Sequence, residues 1–244
     1  MKFTEYLHDN EYMESLFRSK TLSYESPYNI NELIEKTKQL NDLNFNIGKN
    51  KSVAVVGNSG MLMEKEYGKL IDSHDYVFRC NLGRVDGFEK NVGSKTSFRF
   101  VAGKSFWYTT LKNQYSEFDN DFFTNLENQR LIIKANPLYD SIQGIIKHYD
   151  TKSKIHFLKQ NFVDEIEDLS DVNSSTLGFI AICMAVQFFT KISIFGFGFF
   201  KESWDNRHYF EKVAPYDGAH AQHKKDEEDY INFLEKNEMI RIYR

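Results

Sequence analysis

Cysteine is nearly absent: the 244 residues hold only Cys80 and Cys183. These two pair only if the fold brings them together, their spacing marks no zinc site, and a reducing compartment is the simple inference. An excess of charge of one sign is missing as well. The formal net charge of -4 gives no reason to expect a nucleic-acid partner. No long hydrophobic run occurs: the longest apolar stretch, 179–189, is interrupted by Gln187 and is too short to span a bilayer. The polar opening "MKFTEYLHDNEYMESLFRSK" has no apolar core, so neither a signal peptide nor a membrane anchor is expected, and a cytoplasmic location is. Internal repeats and low-complexity tracts are absent. What the chain does have is 41% hydrophobic and 27% charged residues, a balance that predicts a packed core and excludes wholesale disorder.

Residues 1–50 read as a polar, helical N-terminal extension closing in the linker "NFNIGKNK"; residues 51–244 read as one α/β domain. Within it, short β-branched runs alternate with helical patterns. "SVAVVG" (52–57), "DYVFRCN" (75–81), "SFRFVA" (97–102), "RLIIKAN" (130–136), "KIHFL" (154–158), "KISIFGF" (191–197) and "MIRIY" (239–243) predict strands. Helices are predicted over 61–71, 138–149, 177–189 and 225–236, the third apolar nearly all round and hence buried. A polar loop fills 201–223, and the mixed-charge "HKKDEED" (223–229) reads as a solvated helix face. The fold class expected is a single Rossmann-like, mostly parallel sheet sandwiched by helices. In such sheets ligands lie beyond the carboxyl ends of the strands, which directs attention to 57–60, 79–81 and 196–198.

"VVGNSG" is a strand, a tight turn and a helix start. Gly57 and Gly60 let backbone approach a ligand, while Asn58 and Ser59 add side-chain hydrogen bonds. The complete G-x-G-x-x-G pattern is lacking and Asn81 stands where an acidic residue would end the second strand, so a dinucleotide cofactor is disfavoured. Ser174, Ser175 and Thr176 open the helix at 177, as an N-cap or as an anion and ribose clamp. His208 and Tyr209 sit in the polar loop, and His220 and His223 precede the helix at 225.

Taken in order, these segments resemble the sialyltransferase family that includes the animal Golgi enzymes. Its large motif is similar to 53–100, its small motif to "SSTLGFIAICMAVQFFTKISIFGFGFF" (174–200), its third to "HYFE" (208–211), and its last to His223 with Glu228. The resemblance covers roughly 52–244 and skips 104–170. It implies a GT-A-like variant of the fold and an inverting, metal-independent transfer of sialic acid from CMP-sialic acid to a sugar hydroxyl. That acceptor is expected to be a galactose of a bacterial surface glycan, such as a lipooligosaccharide. A CMP-Kdo-dependent transferase and a non-catalytic CMP-sugar-binding protein are the alternatives.

By the same resemblance Asn58 and Asn81 bond the cytidine nucleotide, with Ser59 and Gly60 beside them. Ser174, Ser175, Thr176 and Gly178 contact nucleotide and sugar carboxylate; Gly196 and Gly198 let the chain pass close to the base and ribose. His208 and Tyr209 hold the phosphate, and His223 is the catalytic base. His220, three residues away, stays open as the base, although a second bacterial family with a similar "RCN" strand end and "FLEK" helix favours His223. One inserted residue in "SSTLG" leaves Ser174 and Ser175 as alternatives. No cofactor and no metal are implied; "DND" (119–121) reads as surface. The animal enzymes' disulfide positions correspond here to Val53 and Phe189, which fits a reducing cytoplasm and an unanchored bacterial-type enzyme. Membrane contact is expected to be peripheral at most, at the inner face. The aromatic residues of 104–170, Trp107, Tyr108 and Tyr115 among them, serve either sugar stacking or packing.

Overall fold

The computed structural model describes residues 2–19, 26–48, 50–107, 122–134, 139–198, 208–210 and 224–244. In chain order the elements are α1 (Asn10–Ser19), α2 (Ile30–Leu40), β1 (Ser52–Val56), α3 (Gly68–Asp72), β2 (Tyr76–Cys80), α4 (Glu89–Val92), β3 (Phe98–Ala102), α5 (Gly103–Trp107) and α6 (Phe122–Asn125). There follow β4 (Arg130–Lys134), α7 (Tyr139–Lys147), β5 (Lys154–Phe157), α8 (Gln160–Ser170), α9 (Leu177–Phe188), β6 (Lys191–Phe195), α10 (Lys225–Lys236) and β7 (Arg241–Tyr243). The seven strands form one sheet in the order β5-β4-β3-β2-β1-β6-β7, and every pairing between neighbours is parallel. The expected α/β sandwich is therefore what the chain adopts.

Strand alternation sorts the core into two layers. Val53, Val55, Phe78 and Phe100 face the buried helix α9, while Ala54, Val56 and Val77 face α3 and α4. Helix α9 needs no polar face because both its sides are covered, and eight of its side chains are buried. The N-terminal residues join this packing: Phe3, Tyr6, Leu7 and Ile47 lie in the same core as α9, and Leu7 bridges Leu158 beyond the edge strand β5. On the opposite face Met13, Phe17, Leu33 and Ile34 of α1 and α2 pack on β4 and β5. Asn29 and Glu32 start α2 with a reciprocal capping box.

Val53 and Phe189 are both buried in the α9 core. Val53 pairs in register with Tyr76, whose ring lies 5.5 Å from that of Phe189. Cys80 and Cys183 are free and buried, and burial pushes the Cys80 thiol up to about 12.

The single helix expected over 61–71 is two pieces: a 3-10 turn, Gly60–Glu64, and the short α3. Asn91 explains the break, because its Nδ2 donates to the carbonyls of Met63 (3.4 Å) and Lys65 (2.8 Å), acceptors a continuous helix would use internally. Among the described residues no helix is long and apolar enough to cross a membrane.

Candidate active site

The chain runs outward from β1 to β5 and then returns to the other side of β1 as β6 and β7. The strand order therefore reverses between β1 and β6, which opens a crevice beyond their carboxyl ends. The two tips there are held together by backbone: Gly57 N–H donates to Phe195 O (2.8 Å) and Ser59 N–H to Gly196 O (3.2 Å). A Cβ on Gly57 would lie 2.3 Å from Gly196 O, so the close approach demands glycine. Gly196 has φ +69°, and a Cβ there would meet Leu62 at 2.5 Å. The ring of Phe197 lies in contact distance of both Gly57 and the first turn of α9, at Gly178. Gly198 follows, partly exposed. Ser59 is buried and caps the 3-10 turn that begins at Gly60 by accepting from Met61 N–H.

Asn58 and Asn81 tie adjacent strand tips. Asn58 Nδ2 donates to Cys80 O (3.2 Å), and Asn81 Oδ1 accepts from Ala102 N–H (3.0 Å). Asn81 leaves β2 in the left-handed region, φ +45°, a conformation its short polar side chain tolerates. Beneath them Arg79 and Arg99 stand in register on β2 and β3, each 1% exposed. Arg79 donates to the carbonyls of Val92, Gly93 and Lys95 and to Thr96 Oγ1; Arg99 donates to Asn81 O (2.8 Å), Gly83 O (3.0 Å) and Gln129. Two guanidinium charges thus shape the 81–83 and 92–96 loops from below.

The segment 208–210 lies against the same tips. Tyr209 N–H donates to Asn58 O (3.0 Å), and its hydroxyl donates to Arg84 O. Burial pushes that phenol up to about 12, against the downward pull of Arg79 and Arg99, so it remains a neutral donor at physiological pH. The rings of His208 and Phe210 are parallel within 11°, at 5.4 Å.

The head of α9 is braced by carboxylates. Thr176 is its N-cap: Oγ1 accepts from Phe179 N–H (3.2 Å) while donating to Glu227 Oε2 (2.7 Å). Ser175 is buried and gives both its N–H and its hydroxyl to Glu167 Oε1 (2.7 and 2.6 Å). Lys134 at the end of β4 donates to Ser175 O (3.2 Å). Ser174 is exposed at φ +56°. Structure therefore brings Asn58, Ser59, Gly196 and Tyr209 together at the β1/β6 crevice, and Phe197 joins this group to Gly178. His220, His223 and the "DND" at 119–121 lie outside the described residues, as do Tyr108 and Tyr115. Arg79 and Phe197 fall in the stretches 79–81 and 196–198 that the strand ends pointed to but were given no role there, and Arg99, Lys134, Glu167 and Glu227 were not singled out by the sequence. Among the described residues no group of three His, Cys, Asp or Glu side chains is placed to hold a metal.

The fold and crevice define a GT-A-like, helix-flanked parallel α/β protein. The family model for glycosyltransferase family 29 (sialyltransferase) matches residues 4–239, and the chain belongs to that family. It is 31% identical over 202 residues to the CMP-N-acetylneuraminate-beta-galactosamide-alpha-2,3-sialyltransferase 1 of Sus scrofa, covering 78% of this chain and 57% of that protein. A beta-1,6-galactosyltransferase of Arabidopsis thaliana is 30% identical over 187 residues, 66% of this chain and 46% of that protein. The chain thus spans about half the length of these curated relatives. Its fold is similar to the crystal structure of a mammalian sialyltransferase in complex with Gal-beta-1-3GalNAc-ortho-nitrophenol, with a TM-score of 0.58 at 22% identity over 96% of this chain and 85% of that one.

Proposed function

We propose that the chain transfers sialic acid from CMP-sialic acid to a galactose hydroxyl of a bacterial surface glycan, with inversion, in the cytoplasm or at the inner face of its membrane. The observation that carries this reading is the family match over 4–239. The meeting of Asn58, Asn81 and Tyr209 at adjacent strand tips supports a nucleotide position there. Asn58 and Asn81 hold the cytidine, with Gly196 and Gly198 leaving room for base and ribose. The head of α9, from Ser174 or Ser175 through Thr176 to Gly178, faces the nucleotide and the sugar carboxylate. In the reaction the acceptor O–H proton passes to a neutral histidine, His223 or His220, as the new C–O bond forms. The bond between the anomeric carbon and phosphate oxygen breaks on the opposite face, and CMP keeps the electron pair. His208 stabilises the growing phosphate charge, contributing on the order of 2–4 kcal/mol, and Tyr209 fixes the strand tips beside it through its bonds to Asn58 O and Arg84 O. A monophosphate leaving group needs no divalent metal.

Incubation of the purified protein with CMP-Neu5Ac and lactose in EDTA is expected to give sialyllactose, and His223→Ala or His220→Ala alone is expected to abolish it. CMP release from CMP-Kdo only would move the assignment to that sugar. Transfer from a nucleotide-activated galactose only would align the chain with its Arabidopsis relative. Binding of CMP without turnover of any donor would leave a binding protein.

Gly83→Ala tests the nucleotide position. The new Cβ would meet Asn58 Oδ1 at 2.6 Å, the mobile end of a side chain, so the fold adapts by turning the carboxamide. CMP affinity measured by calorimetry is expected to fall about tenfold, roughly one bidentate-grade hydrogen bond. The melting temperature is expected to move by no more than about 3 °C. Unchanged affinity would remove Asn58 from the nucleotide site.

A further inference from the structure

Arg79 and Arg99 place two guanidinium charges inside the sheet, in register on neighbouring strands and each 1% exposed. Among the described residues no carboxylate pairs with either of them. Asp72, the carboxylate whose charge bears on Arg79, accepts instead from the N–H groups of Ser94 and Lys95 and from the Ser94 hydroxyl. Every hydrogen-bond acceptor of the two arginines is neutral: main-chain carbonyls, Thr96 Oγ1 and Gln129 Oε1. The Phe122 ring stands 5.3 Å from the Arg99 guanidinium carbon. Arg79 Nη1 is sealed from solvent and has no hydrogen-bond partner at all.

Burying a charge without a counter-charge is unfavourable, and a second like charge beside it makes matters worse. Burial, joined for Arg99 by the neighbouring Arg79, lowers the basicity of both groups, Arg99 to about 9, so each is still a cation at neutral pH. Bridging the carbonyls of the 81–83 and 92–96 loops needs only N–H donors, which uncharged amides also supply. The two net charges need another explanation, and they lie under the crevice. Arg99 Nη1 donates to Gly83 O (3.0 Å). Gly83 also borders Asn58 Oδ1 and Tyr209 Oη, which a Cβ there would meet at 2.6 and 3.5 Å. A single glycine therefore links the guanidinium to the Asn58 carboxamide. Both charges also act on the phenol of Tyr209, whose N–H is bonded to Asn58 O.

We infer that Arg79 and Arg99 form a buried cationic floor beneath the tips of β1 and β2, and that its missing counter-charge is the phosphate of the nucleotide held above it. This rests on the CMP-sugar reading given above. The two arginines touch neither donor nor acceptor; they act at a distance, through a layer of protein that screens far less than water. The phosphate carries one negative charge in the CMP-sugar. It gains a second as the bond to the anomeric carbon breaks and CMP leaves with the electron pair. The floor therefore favours the departing group over the bound donor. Neutral cytidine, which lacks the phosphate, gains nothing from it.

Calorimetric affinities of CMP and of cytidine for the parent, Arg99→Gln and Arg99→Lys test the idea. Glutamine keeps an N–H donor without the charge, and lysine keeps the charge. In Arg99→Gln the ratio of CMP to cytidine affinity is expected to fall about tenfold, while cytidine affinity stays within threefold of the parent. Arg99→Lys should hold the ratio within threefold. An unchanged ratio in Arg99→Gln overturns the proposal. So does an equal loss for both ligands, which would make Arg99 a support of the loop and nothing more. If Arg99→Gln does not fold, phosphorus NMR of CMP bound to the parent decides. The second ionisation of the phosphate, near pH 6 in a free monoester, is expected about one unit lower or more when bound, in the parent and in His208→Gln alike. An unshifted value overturns the proposal, as does a shift that disappears in His208→Gln. A parent that binds neither CMP nor cytidine is a different result, because it removes the nucleotide reading and this inference with it.

Discussion

Gly57→Ala is expected to lower turnover at least a hundredfold and to cost about 2–4 kcal/mol of stability. A drop in melting temperature of roughly 5–15 °C should accompany it. The added Cβ would stand 2.3 Å from Gly196 O and 3.1 Å from both Gly196 C and the Phe197 ring. Most of that obstacle is backbone, which no rotamer change relieves. It is also pinned, because Gly57 N–H bonds Phe195 O and Ser59 N–H bonds Gly196 O. The tips of β1 and β6 must part, and Asn58 moves with them. Gly48→Ala is the control, since its Cβ meets only Lys51 Cγ at 3.4 Å. Thermal melts and CMP-release rates on both variants check the prediction; parent-like rates in Gly57→Ala would mean that the crevice is not where the reaction occurs.

The second large effect is acid sensitivity. His156 and His148 are both 0% exposed and both are locked as neutral rings. His156 Nδ1–H donates to Asn41 Oδ1 (2.9 Å), and its Nε2 accepts from Arg130 (3.1 Å). His148 Nε2–H donates to Phe106 O (2.7 Å), and Nδ1 accepts from Thr124 (2.8 Å). Burial lowers their pKa values to about 3 and about 4 respectively, and protonating His156 would also place a proton against the Arg130 guanidinium. Because the folded values lie below the unfolded value near 6.5, the unfolded chain binds more protons between them. The stabilisation is complete above pH 6.5 and is lost as pH falls toward 4 and then 3. Each histidine contributes a slope of roughly 1.4 kcal/mol per pH unit in that window. Denaturant melts at pH 7.5, 5.5 and 4.5 should show the loss. His156→Gln, whose amide can repeat one donor and one acceptor, should reduce the slope by about one proton. An unchanged slope would show that His156 does not carry the linkage.

The alternation of strand and helix was readable because β-branched runs such as "SVAVV" and "KISIF" and the all-apolar α9 announce their burial directly. Strand ends were less readable: β2 stops at Cys80 because Asn81 turns left-handed, and β6 stops at Phe195 because Gly196 does. The helix over 61–71 breaks because of Asn91, a partner 26 positions downstream of Lys65 that no local propensity reveals. Helix α8 is poorly announced although Phe162, Val163 and Ile166 carry the helical spacing, because its N-cap is Lys159, which makes no capping side-chain bond. At the site, glycines and asparagines were legible because turns and close approaches restrict residue type. Glu167 and Glu227 were not, because in sequence they look like any charged helix residue, and only their long-range bonds to Ser175 and Thr176 distinguish them.

The position of β1 has a consequence for how the molecule assembles. Its partner on one side, β2, follows within a few dozen residues, but its partner on the other side pairs Ser52 with Lys191, far down the chain. Closing such a separation is slow relative to local pairing. During synthesis the edge of β1 that will bond β6 stays open while β2 to β5 are already able to assemble on the other side. An apolar edge of this kind, Val53 to Val56, is a template for pairing with another chain. The crevice thus closes late, with only the addition of β7 to follow, and a nascent chain that stops short of Phe195 displays an adhesive strand in its place.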